Sequence, residues 1–177
     1  MKIRYLVLAI IGAMLLSLGA VACSDDDDGD VVSLDQYYAA LEPLSQGYDS
    51  DLETLDQEAE AEFAEAETED DQIEVFINFV ADQGSATDDF VGDLDDLNPP
   101  AEAAAAHEEA VVAGTELVVM YDNADTVFET AETIDEATLV LSGPGFLDAQ
   151  ARFAASCVAL QGIADDNGID VDMACPG

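Results

Sequence analysis

From residue 33 onward, apolar positions recur every three or four residues, and turn-forming residues cut that recurrence into four stretches. In the first, Leu34, Tyr38, Leu41, Leu44, Tyr48, Leu52, Leu55 and Phe63 make one apolar stripe of a long helix. The spacing Ser33-x-x-Gln36 is a capping box at its start. Pro43 and Gly47 fall inside the stripe and mark where it would kink or break. Residues 56–69 are Glu-rich and read as a solvated end.

Thr68 with Asp71 caps a second helix, whose stripe includes Ile73, Phe76, Ile77, Val80, Gly84, Thr87, Phe90, Val91, Leu94 and Leu97. Asn98-Pro99-Pro100 ends it. Asn98 is a capping residue and proline fits a first helical turn, so a third helix is predicted from Pro99 to about Glu132. Its inner face carries Ala103, His107, Ala110, Gly114, Leu117, Tyr121 and Phe128. Residues 133–143 are less regular; Thr138 to Leu141 reads either as a short strand or as a connection lying on the core. After the turn Ser142-Gly143-Pro144-Gly145, a fourth helix presents Phe146, Ala149, Phe153, Cys157, Leu160 and Ile163. Asn167-Gly168 stops it, and the tail from Ile169 returns. No internal repeat is present. The expected fold is all-α, an antiparallel three- or four-helix bundle over residues 33–177.

Residues 1–22 follow a different rule. Lys2 and Arg4 precede an apolar run, Leu6 to Leu18, broken only by Gly12 and Ser17; Gly19 to Ala22 are small. Charge, apolar core and small residues in that order make a secretory signal peptide. The apolar run is shorter than the roughly 20 residues a membrane-spanning helix needs. Five aspartates between Ser24 and Asp30 follow at once, as in a solvated tether over 23–32.

The junction Ala20-Val21-Ala22-Cys23 resembles the lipobox of bacterial lipoproteins, with Ala20 where leucine is commonest. The resemblance covers residues 1–23. It implies diacylation of the Cys23 sulfur, cleavage before it, and acylation of the new amino group, several chains being needed because one binds a membrane only marginally. The mature part is similar in kind to acidic helical lipoproteins. The implied address is extracytoplasmic, with the lipid in the cell membrane or on the periplasmic face of an outer membrane; Ser24 after Cys23 resembles outer-membrane sorting. With Cys23 lipidated, Cys157 and Cys175 remain as an even pair in an oxidising compartment and are expected to bond to each other.

Charge changes the picture most. Lys2 and Arg4 leave with the leader, so the mature chain sets Arg152 alone against all 41 carboxylates, a formal −40. Nucleic acid is excluded as a partner, since phosphate contacts need Lys and Arg. Two readings of the acids compete: adaptation to high salt, where screening removes the self-repulsion, and a surface that collects cations. Their even spread along every segment favours the first, and the near absence of lysine resembles salt-adapted proteins.

Candidate chemistry is thin. Ser24 to Asp35 partly matches a calcium loop through Asp26, Asp28 and Gly29, but lacks the first Asp and the bidentate Glu. His107 is the only histidine. Ala104 stands three before it, so there is no Glu-x-x-His di-iron motif, and Ala110 stands where the His-x-x-Glu spacing of imelysin-like proteins needs Glu. It reads as a partly buried helix histidine. One histidine leaves no acid–base–nucleophile set. No metal site or cofactor is expected. Arg152, beside core position Phe153, should pair with a carboxylate of another helix. The expected function is non-enzymatic: a membrane-anchored interaction or structural module whose partner is a protein or cations. The alternative is an extracytoplasmic binder of divalent metal or cationic ligand through clustered carboxylates.

Overall fold

The computed structural model describes residues 32–175 apart from 129 and 132. The signal peptide, Cys23 and most of the partial calcium loop lie outside the described residues. Among these residues four long helices and one short one make up an all-α bundle: α1 (Leu34–Glu65), α2 (Glu69–Asp95), α3 (Ala104–Phe128), α4 (Ile134–Thr138) and α5 (Pro144–Asp166). No strand occurs among the described residues.

The helix starts follow from the capping chemistry. Ser33 Oγ accepts from the Gln36 amide at 3.3 Å while Gln36 Oε1 accepts from the Ser33 amide at 3.2 Å. Thr68 and Asp71 do the same for α2, at 3.2 and 3.0 Å. Three acids, Glu69, Asp70 and Asp71, then face the positive end of the α2 dipole. The bonds to Thr68 hold the Asp71 carboxyl below its usual range. At the far end of α5, Gly168 takes φ +70°. There the Ile169 amide donates to Ala164 O and the Gly168 amide to Asp165 O, at 2.9 and 3.1 Å, closing a Schellman motif.

The single long first helix is found, with one alternative at Pro43 excluded, and the start of the third helix is corrected. Pro43 does not break α1, which runs through it. Both Pro43 and Ala39, whose carbonyl loses its helical donor, lie on the exposed side, where water satisfies the freed group. The third helix begins at Ala104, not Pro99. Pro99 itself precedes a proline, which disfavours helical backbone there; the Pro100 carbonyl instead accepts from Ala103 and Ala104 at 2.9 and 3.0 Å. Of the two readings of residues 133–143, the connection is the one found. It contains α4, and buried Ala137 packs with Phe76, Val80, Ala124 and Phe128.

Short links make neighbours in sequence neighbours in space: α1 packs on α2, α2 on α3, and α3 on α5, with α4 against α2. The α2–α3–α5 crossings are close. A Cβ at Gly84 would stand 2.9 Å from Tyr121 Cβ. One at Gly114 would overlap Val91 Cγ2 and stand 3.0 Å from Phe153 Cε2.

The seam between α1 and α5 is closed differently. At one end Tyr38 Oη donates to Leu160 O at 2.7 Å. Beside it the segment after Ile169 wedges between the two helices. Met173, 2 % exposed, fills the core with Tyr38, Leu41 and Leu160. The backbone of this tail is tied on both sides. Ser45 Oγ donates to Met173 O, the Asp172 amide donates to Glu42 Oε1 at 3.0 Å, and the Met173 amide donates to Gln161 Oε1 at 2.9 Å. Ala174, with φ +47°, turns the chain so that Cys175 meets Cys157. The two sulfurs are bonded, 18 residues apart in sequence.

Candidate functional site

Beyond the tail, α1 and α5 part and leave a groove of about 710 Å³. Left dry and closed, such a void would cost on the order of 17 kcal/mol at roughly 24 cal/mol per Å³, more than the roughly 5–15 kcal/mol that holds a domain together. The groove is open along one side, so it exchanges with solvent or holds a ligand. Its volume falls within the roughly 300–1,000 Å³ typical of small-molecule sites.

Its lining is mostly apolar and rich in rings. Tyr48 of α1 stacks on Phe90 of α2, centroids 4.7 Å apart and planes at 21°. Phe153 of α5 stands edge-on to both, at 6.2 and 6.0 Å. Tyr121 of α3 meets Phe146 of α5 at 5.3 Å and 82°. These rings come from the core stripes of four helices, and the groove exists because small residues, Ala151 and Ala154, face the gap from α5.

The polar groups divide into committed and free. Thr87 is fully buried and its hydroxyl proton goes to Gln83 O at 2.7 Å. Its oxygen therefore accepts from Tyr48 Oη, 3.1 Å away. By contrast, the side-chain amides of Gln83 and Gln150 and the hydroxyl of Tyr121 have no hydrogen-bond partner among the described residues, yet all three residues line the groove. Burial, reinforced by Tyr48, pushes the Tyr121 phenol up to about 12, and burial also raises Tyr48. Both rings are therefore neutral at ordinary pH. Among the described residues, Asp49 on the rim is the one charged residue of the lining.

The residues singled out from sequence lie elsewhere or frame the groove. Cys157 lines it together with Met173 and Ala174, so one partner of the disulfide borders the groove. His107 does not line it. It is 6 % exposed and its Nδ1 is 3.0 Å from Tyr37 Oη, inside the core. Burial lowers its pKa, with Asp95 pulling the other way, and burial raises the Tyr37 phenol well beyond the usual range. Arg152 spans two carboxylates of α3, Glu109 at 2.7 Å and Glu116 at 2.5 Å. These are surface pairs, weakened by solvent screening. The carboxylates are dispersed: among the described residues no three His, Cys, Asp or Glu side chains come together to hold a metal ion. Among the same residues no helix is long and apolar enough to cross a membrane.

The stripes named every ring of the groove as core, but nothing in the spacing says whether facing side chains meet. The available signal was the run of alanines along α5 opposite the wide stripe of α1. No family model, curated protein or solved structure matches this chain.

Proposed function

We propose that this chain is the precursor of a lipoprotein held by Cys23 to the outer face of a membrane, and that its folded part is a non-enzymatic recognition module working through the α1–α5 groove. The observation that carries the recognition role is the groove itself: aromatic walls, three uncommitted polar groups and an open side. A void that a bundle could have filled with larger side chains at no topological cost is spent on holding something. The Cys157–Cys175 bond supports the address, since such bonds persist in oxidising compartments. The leader ending at Ala22 supplies the route.

Two experiments test the two halves. Intact mass spectrometry of the protein extracted from membranes of an expressing bacterium should give a chain that starts at Cys23 and carries acyl mass; a chain starting elsewhere, or bare at Cys23, removes the anchor. A neutral solvatochromic dye such as Nile red should bind the purified chain saturably, and Ala151→Trp, which fills the groove from its exposed rim, should abolish that binding. Dye binding unchanged by Ala151→Trp removes the groove from the function.

A further inference from the structure

We propose that the groove takes a small organic cation, a single positive head on an apolar, preferably aromatic, body. The inference rests on the groove being a recognition site and adds the chemical class of its ligand.

The body is set by the walls. Tyr48, Phe90 and Phe153 form one ring cluster and Tyr121 with Phe146 another, and among the described residues no basic one lines the space between them. An anionic ligand would meet no counter-charge there and would have to enter through the field of a mature domain with a formal −40. A cation gains from that field on approach and from contacts inside. Asp49 on the rim offers a carboxylate. Ring faces attract a cation through their quadrupole, and all the rings are neutral below the alkaline range. The amide oxygens of Gln83 and Gln150 and the Tyr121 hydroxyl are acceptors with no partner to surrender among the described residues. The sole mature cation, Arg152, is not a competitor, because Glu109 and Glu116 hold it against α3.

Diffuse attraction to an acidic surface must be separated from binding in the groove. In molar salt the screening length is about 3 Å, so the overall field is removed while a contact with Asp49 or a ring survives. Three probes with one phenylbutyl body and different heads serve: 4-phenylbutyl-trimethylammonium, 4-phenylbutanol and 5-phenylpentanoate. Each is titrated calorimetrically into the full chain in nanodiscs, against empty discs, in molar sodium chloride. The expected result is saturable one-to-one binding of the ammonium, about tenfold tighter than the alcohol, with no measurable binding of the carboxylate. Asp49→Asn should weaken the ammonium about fivefold and leave the alcohol unchanged. Ala151→Trp should abolish both. Both sites are exposed, so folding is retained; a melt of each variant verifies that. Equal binding of ammonium and alcohol with no effect of Asp49→Asn, or preference for the carboxylate, overturns the cation and leaves the groove as a site. Failure of all three probes, or binding indifferent to Ala151→Trp, overturns both.

Discussion

Replacing Gly114 by alanine sets two opposed effects against each other. Gly114 lies inside α3, where alanine is favoured over glycine by about 1 kcal/mol. The new methyl, however, would overlap Val91 Cγ2 and sit 3.0 Å from Phe153 Cε2. Val91 cannot swing aside: it is 7 % exposed, and a β-branched side chain in a helix has one strongly preferred rotamer. Overfilling a packed crossing costs about 1–3 kcal/mol, so the net change is a loss of about 1 kcal/mol. Gly47→Ala is the control. Gly47 is also inside a helix, is exposed, and a Cβ there meets nothing within 4 Å; the same propensity term should raise stability by about 1 kcal/mol. At about 2–4 °C per kcal/mol for a domain of this size, the two variants should melt about 4–8 °C apart, on either side of the parent. Far-ultraviolet circular dichroism melts in one buffer measure this. If Gly114→Ala gains stability in step with Gly47→Ala, the α2–α3–α5 crossing is not as close as described and the reasoning fails.

Reducing the Cys157–Cys175 bond, or replacing both cysteines by alanine, reopens a loop of 18 residues. That should cost about 3 kcal/mol, a fall of about 6–12 °C in Tm; a melt indifferent to reductant would refute the clamp. His107 sits below its usual 6.5 because burial disfavours its charged form. The unfolded chain therefore binds the proton first, and stability present above about pH 6.5 is lost as pH falls further. Denaturant titrations at about pH 7.5 and 5.5 should show a smaller loss for His107→Gln than for the parent, the carboxylates cancelling in the comparison; equal losses would refute it. Finally, Tm should climb steeply between low and molar sodium chloride as repulsion among the acids is screened; a flat profile would count against salt adaptation.

What could be read in advance was whatever local chemistry decides. Ser33 with Gln36, Thr68 with Asp71, and Asn167-Gly168 each satisfy backbone groups within a few residues, so the helix ends they predict are found. The 157–175 pairing followed from the count of cysteines left once Cys23 is assigned elsewhere. The failures are of two kinds. At Pro99-Pro100 two local rules compete, and the restriction that each proline places on the residue before it wins over its fitness for a first turn. At Pro43 the local penalty is real, but the packing of Tyr37, Tyr38 and Leu41 on one side and water on the other carries the helix through. The groove was illegible for another reason. Periodicity assigns Tyr48, Phe90, Tyr121 and Phe153 to inward faces, yet whether α1 and α5 meet depends on facing pairs some 100 residues apart. The Tyr37–His107 bond, 70 residues apart, was hidden in the same way.

The strap over the α1–α5 seam orders events in time. Tyr38 bonds to a carbonyl 122 residues later, and Ser45 to one 128 residues later. Helices α1 to α3 can zip together as they emerge, each onto the one before, but the first helix waits for Leu160 and Met173 before its last side is covered. Contacts of such long range slow the final step of folding, and the Cys157–Cys175 bond then locks its product. A nascent chain caught short of Cys175 would thus be a nearly finished bundle lacking its last clasp, with Tyr38 and Leu41 bared to whatever chaperone or protease stands nearby.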